Sequence, residues 1–165
     1  MKKILACTLG NCVHVAGTMN FLGLAENEGY DTEFLGMGIS VDDLILSINK
    51  KNPDIVALSY RLTPEPLIGI LKELKSKIDN IEPKNIIWLF GGTEPTGLVA
   101  KESEIFDKIF YGHEDIDEVI HYLKGGEYSQ EEEYPRDIIS RIKSKYPYPV
   151  LRHHLGLPTI EETVE

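Results

Sequence analysis

The chain has 165 residues, 42% of them hydrophobic and 27% charged, which suits one soluble domain with its own core plus a tail. Its 17 basic and 27 acidic side chains give a formal charge of −10, a balance that repels phosphate backbones and anionic lipid and argues against nucleic acid and membrane partners. No apolar run is long enough to span a bilayer, and the opening "MKKILACTLG" lacks a signal peptide's apolar core and cleavage site, so a cytoplasmic location is expected.

In chain order, "KKILACTL" is a compact run of strand formers, and "TMNFLGLAEN" follows with Met19, Leu22 and Ala25 at helical spacing before Gly29 stops it. "YDTEFLGM" reads as a second strand. "SVDDLILSINKK" reads as a helix whose Ser40 and Asp43 make a capping-box pattern ahead of Leu44, Ile45 and Ile48. "PDIVALS" suits a strand buried on both faces, and "TPEPLIGILKELKSKI" offers Thr63 as N-cap with Pro64 at the first helical position. "NIIWLFGG" repeats the strand pattern, a short helix is expected around 96 to 103, and a weaker strand "KIFYG" precedes a final helix in "DIDEVIHYLKG". Five alternating units predict an α/β fold: a flavodoxin-like, doubly wound, five-stranded parallel sheet with helices on both faces, over residues 1–126.

Past Gly125-Gly126 the composition shifts. "EYSQEEEYPRD" reads as an acidic linker with Glu131 to Glu133 facing solvent, "IISRIKSKYPYP" as a short helix, and "VLRHHLGLPTIEETVE" as the start of a further element. Residues 127–165 are therefore expected to be linker and tail, the tail being the start of a truncated catalytic domain. Only two cysteines occur, Cys7 and Cys12, and a strand between them holds them too far apart to bridge, so free thiols are expected.

In a doubly wound sheet, ligands sit beyond the carboxyl ends of the strands. After the first strand come Asn11, Cys12 and His14; after the third, Ser59, Arg61 and Thr63; after the fourth, Gly91 and Gly92; after the fifth, Gly112 and His113. Bare glycine backbone lets a flat, bulky group approach the main chain, and an imidazole can ligate a metal through one ring nitrogen.

These residues carry a resemblance. Over residues 3 to about 124 the chain resembles the cobalamin-binding domain shared by methionine synthase, glutamate mutase and methylmalonyl-CoA mutase, whose pattern is Asp-x-His-x-x-Gly, then Ser-x-Leu, then Gly-Gly. "CVHVAG" supplies His14 and Gly17; 41 residues separate Gly17 from Ser59 and 29 separate Arg61 from Gly91, against about forty and under thirty in the family. "EGYDTEFLGMGISVDDLILSINKKNPDIVALS" resembles the family's stretch from first helix to third strand.

The resemblance implies cobalamin as cofactor, adenosylcobalamin before methylcobalamin, held by Asn11, Cys12, His14, Val15 and Gly17 in an extended loop from residue 10 to 17. His14 would be the lower axial ligand of cobalt, displacing the corrinoid's own dimethylbenzimidazole. The displaced nucleotide tail would enter a slot between the first helix and the sheet, with Ser59 bonded to the base, Thr63 meeting corrin or tail, Gly91 and Gly92 leaving room, and the loop of Tyr111 and Gly112 closing over it. No catalytic residue is implied; chemistry belongs to the cofactor and to a substrate-binding partner domain or subunit.

Two departures stand out. The family's aspartate, which orients the histidine, is Cys12, a poor acceptor, leaving Asn11 or a water as substitute. Ser-x-Leu has become "SYR", so Arg61 faces a propionamide oxygen, a phosphate or a partner surface instead.

Plainer readings compete with these. A single histidine usually caps or packs. Cys7, Cys12 and His14 as three corners of a zinc site match no finger spacing, and Cys7 on a strand points into the core. Gly91-Gly92 alone is a strand-ending turn, and "GTEPTG" lacks the Gly-x-Gly-x-x-Gly or Walker lysine of a nucleotide site. "RHH" at 152 to 154 reads as a strand start or solvated patch.

For the reaction served, the first strand begins at Lys2 or Lys3, leaving no room before it for the four-helix cap usual in methyl-carrying corrinoid proteins. The expectation is the cofactor-binding component of an adenosylcobalamin-dependent mutase (isomerase), silent alone and paired with a TIM barrel that "PVLRHHLGLPTIEETVE" would begin. The alternatives are a corrinoid carrier of a methyltransferase system and a non-catalytic corrinoid-binding or sensory module.

Overall fold

The computed structural model describes residues 1–126, and the linker, short helix and barrel start expected in 127–165 lie outside the described residues. Five strands, β1 (Lys3–Leu9), β2 (Asp31–Ile39), β3 (Ile55–Tyr60), β4 (Ile87–Gly92) and β5 (Lys108–Phe110), form one parallel sheet in the order β2-β1-β3-β4-β5. This is the doubly wound, flavodoxin-like order, with the winding reversing beside β1. The crossovers are α1 (Ala16–Asn27), α2 (Val41–Lys51), α3 (Pro64–Lys77), α4 (Glu94–Ser103) and a final α5 (Ile116–Leu123).

Strand parity sorts the core into two layers. Leu5, Cys7, Leu9, Val56, Leu58, Tyr60 and Phe90 face α2, α3 and α4, which contribute Leu44, Ile48, Leu67, Leu71, Leu74 and Ala100. Ile4, Ala6, Ile55, Ala57 and Leu89 face α1 and α5, through Leu22, Ala25 and Leu123. Helices thus cover both faces, and β1 and β3 are buried along almost their whole length, as parallel strands require.

Local signals held with adjustments. Ser40 caps α2, accepting from the Asp43 N–H at 3.2 Å, while its hydroxyl donates to the Asp43 carboxylate at 2.9 Å. Thr63 and Pro64 begin α3 as expected, though the Thr63 side chain makes no capping bond. On α1 the buried stripe is Thr18, Leu22 and Ala25, spaced i, i+4, i+7 along one face, and Met19, a residue further round the helix, is 47% exposed. The segment "GTEPTG" is the start of α4: Thr93 and Thr96 make a reciprocal capping box, so the helix begins at Glu94 rather than near 96. Among the described residues no helix is long and apolar enough to cross a membrane.

Candidate functional site

The loop after β1 is built by Thr8, a fully buried hydroxyl at the end of an otherwise apolar strand. Its Oγ1 accepts from the Gly38 N–H at 3.0 Å and donates to the Cys12 carbonyl, tying the end of β2 to the loop. Gly10, at φ 59°, and the Cys12 N–H bonded to the Leu9 carbonyl at 3.0 Å make the first half of the loop a tight turn. The Met19 N–H then bonds the Val15 carbonyl at 2.9 Å, so α1 begins at Ala16 and Gly17 lies in its first turn. The stretch expected to be extended from residue 10 to 17 is therefore a turn and a short loop ending at Val15. These local backbone bonds are available to the chain without any ligand.

The loop buries Cys12 completely and leaves Asn11 and His14 exposed and Val15 half-buried. Cys12 Sγ lies 3.7 Å from His14 Nδ1 and accepts the Arg61 N–H at 3.4 Å. The side chain that meets the ring is therefore the thiol, with Nε2 making no hydrogen bond among the described residues.

Next to this loop is a cleft of about 220 Å³ over the carboxyl ends of β3, β4 and β5, between α1 and α5. Its walls are mainly apolar, from Phe21, Leu24, Leu89, Phe110, Ile116 and Val119, and its rim carries Gly17, Thr18, Ser59, Arg61 and Gly112. A cavity of ~150 Å³ takes a benzene ring, so this one has room for a larger flat group.

The two glycines after β4 play different parts. A Cβ on Gly91 would meet no protein atom within 4 Å, so its bare backbone fronts open cleft. A Cβ on Gly92 would fall 2.3 Å from Thr96 Oγ1 and 2.7 Å from the Tyr60 carbonyl oxygen, so there glycine serves packing against α4 and β3. Gly112 has φ 89° and a Cβ on it would come 2.7 Å from the Gly92 carbonyl oxygen, which fixes glycine at the cleft rim. The loop it belongs to is held by Glu114, whose carboxylate accepts the N–H groups of Tyr111 and, at 2.8 Å, Gly112.

Of the residues expected at the site, Gly17, Ser59, Arg61, Gly91, Gly92 and Gly112 line the cleft, and Asn11, Cys12, His14 and Val15 form the adjoining loop. Thr63 starts α3 on the opposite face and does not line it. Tyr111 does not close over it. Phe110 takes the cleft side, against Phe21 and Tyr122, and alternation sends Tyr111 to the other face, where its ring covers Gly97 of α4 and stacks on His113 at 6.0 Å. Thr8, Thr18 and Glu114 were not anticipated. Only a hydroxyl ending an apolar strand, and another where a helix should show an apolar face, could have flagged the threonines. Among the described residues no group of three or more His, Cys, Asp or Glu converges as a metal site would require.

A doubly wound sheet with an apolar, glycine-fronted cleft at its carboxyl edge and an imidazole on the first loop defines an α/β domain with a small-molecule pocket where such folds bind their ligands. Residues 2–120 match the family model for the B12 binding domain, and the chain belongs to that family. Similar solved structures include a cobalamin-binding protein from Desulfitobacterium hafniense DCB-2, with 21% identity over 74% of this chain and 56% of that one, TM-score 0.61. The monomethylamine corrinoid protein of Methanosarcina barkeri matches with 16% identity over 75% and 57%, TM-score 0.56. The cobalamin-dependent S-adenosylmethionine radical enzyme OxsB with aqua-cobalamin bound matches with 19% identity over 78% and 19%, TM-score 0.52. The chain thus spans a little over half of the first two and about a fifth of the third. No curated protein matches it.

Proposed function

We propose that residues 1–126 hold a corrinoid base-off, with His14 Nε2 as lower axial ligand of cobalt and the displaced nucleotide tail in the cleft between α1 and α5. The observation that carries the reading is Gly91, whose missing side chain fronts a roomy apolar cleft that a Cβ enters without touching protein. Ser59 on the same rim offers a hydroxyl to the base. Cys12 turns the His14 ring by its Nδ1 side, which leaves Nε2 for the metal.

When bound, the corrinoid supplies the reactive cobalt–carbon bond; the chain contributes position and an axial imidazole. Gly17, Gly91 and Gly112 let the tail approach main chain, and Phe21, Phe110 and Val119 keep water from the base. We read the domain as the cofactor-holding component of an adenosylcobalamin-dependent mutase. Residues 127–165 would lead to the domain or subunit that binds substrate.

The test is the absorption spectrum of the full chain mixed with hydroxocobalamin, and electron paramagnetic resonance of the reduced complex made with ¹⁵N-histidine protein. A base-off spectrum with splitting from a protein nitrogen, both lost in His14→Ala, supports the reading. A base that stays on cobalt, or an unchanged spectrum in His14→Ala, overturns it. Methylcobalamin co-purifying with the chain would replace the mutase assignment by methyl transfer.

A further inference from the structure

We propose that Arg61, the Thr18 hydroxyl and the uncapped first turn of α1 form an anion subsite at the mouth of the cleft, which takes the phosphodiester of the cofactor's nucleotide tail. This rests on the reading of the cleft given above and adds to it the group that recognises the tail's charge.

Three observations converge on the subsite. The Arg61 guanidinium bridges the two walls of the mouth: Nη1 lies 3.8 Å from where a Cβ would stand on Gly17 and Nη2 lies 3.9 Å from the same point on Gly112. It makes no ion pair or hydrogen bond among the described residues. The acid on the cleft wall, Glu114, is already engaged by the N–H groups of Tyr111 and Gly112.

The second is Thr18, which lines the cleft at 7% exposure with an Oγ1 that has no hydrogen-bond partner. A threonine inside a helix usually returns its hydroxyl to the carbonyl a turn earlier, and this one does not. Buried hydroxyls are rarely left unpaired, so an acceptor from outside the chain is the missing partner.

The third is the start of α1. Val15 provides no side-chain cap and the first turn holds no acidic residue, so the N–H groups of Ala16, Gly17 and Thr18 precede the first intrahelical bond and carry the positive end of the helix dipole. A guanidinium fork, a hydroxyl and free N–H groups suit a phosphodiester, which offers two anionic oxygens, better than a neutral propionamide. In a chain of formal charge −10, the mouth places a guanidinium, free of any ion pair among the described residues, beside one carboxylate, Glu114, whose oxygens are taken up by the Tyr111 and Gly112 N–H groups.

The test compares hydroxocobalamin with cobinamide, the same ring lacking phosphate, ribose and base, by absorption titration of the full chain. Arg61→Leu is expected to weaken hydroxocobalamin binding about tenfold and to leave cobinamide within about twofold, with the loss shrinking as NaCl screens the charge. Thr18→Val is expected to weaken hydroxocobalamin binding selectively without lowering the melting temperature, since it removes an unpaired hydroxyl at nearly constant shape. Equal loss for both corrinoids, or no loss for either, overturns the subsite and leaves the cleft reading standing. Wild-type chain that binds neither corrinoid overturns both.

Discussion

Cys12 Sγ stands 3.7 Å from His14 Nδ1 and accepts the Arg61 N–H at 3.4 Å, so one buried thiol both touches the exposed imidazole and ties it to the end of β3. A cysteine sulfur is a weak hydrogen-bond partner and orients the ring only loosely. Cys12→Asp places a carboxylate at the same point, where the Arg61 N–H still donates. Second-shell partners of a metal-bound histidine are worth about 10- to 100-fold in affinity, and the Asp variant is expected to bind hydroxocobalamin about tenfold tighter. The free protein should lose about 1–3 kcal/mol in urea unfolding, because the site is fully buried. Absorption titration alongside urea melts checks both halves. Weaker binding in the Asp variant would mean that the thiol is more than a passive stand-in.

The glycines after β4 separate ligand room from packing. Gly91→Ala adds a methyl to open cleft and should leave the melting temperature within a degree or two while weakening hydroxocobalamin binding. Gly92→Ala drives a methyl to 2.7 Å from a backbone carbonyl and 2.3 Å from Thr96 Oγ1, and should cost about 1–3 kcal/mol of stability. Thermal melts and corrinoid titrations on the two variants should move in opposite order.

The different parts played by these two glycines, which look alike in the sequence, mark the limit of what the chain discloses. The alternation of apolar strands with amphipathic helices was legible because a parallel sheet buries β1 and β3 on both faces, which makes each a largely apolar run broken by little more than Lys3, Thr8 and Ser59. The site was legible as residue types at strand ends: His14, Ser59, Gly91 and Gly112 stand where the strands stop. What a pair such as Gly91-Gly92 does was not, since neighbouring residues on a strand face opposite ways and only the packing of Thr96 and Tyr60 tells which face is full. The same parity turns Tyr111 toward α4, and the register of a three-residue strand is too short to read from its sequence. Thr8 stayed hidden because its partners, Gly38 and the Cys12 carbonyl, come from two other segments.

Cys7 sits in the α2–α3 layer with no exposure, and burial pushes its thiol up from 9.0 to about 12. The native thiol stays protonated where the unfolded one ionises, so its contribution to stability is complete below pH 9 and is lost as pH climbs from 9 toward 12. The slope is about 1.4 kcal/mol per pH unit. Guanidinium unfolding from pH 7 to 11 should show this alkaline decline in the wild type and a flatter one in Cys7→Ala. The Ala variant begins from a lower neutral value, by about 1 kcal/mol, for the small void it leaves. Native protein should also resist alkylation at both cysteines, each fully buried, until it unfolds.

Glu33 on edge strand β2 joins β1 and α2 through Lys3, at 3.3 Å, and Lys51. The Lys51 hydrogen bond, opposed by partial burial and helped by Lys3, holds its carboxyl below the ordinary value of 4.5. A depressed carboxylate stabilises the fold above that ordinary value and loses its contribution as pH falls through the native one. Both partners are about a third exposed, so the effect is that of a screened surface pair. Glu33→Gln should lower stability by about 0.5 kcal/mol at pH 7 in low salt, less at 1 M NaCl, and not at all once acid has protonated Glu33 in both states. Urea melts of the two proteins from pH 7 down to pH 3 measure the difference directly. A gap that persisted at the acid end would assign the role of Glu33 to packing along β2 rather than to its charge.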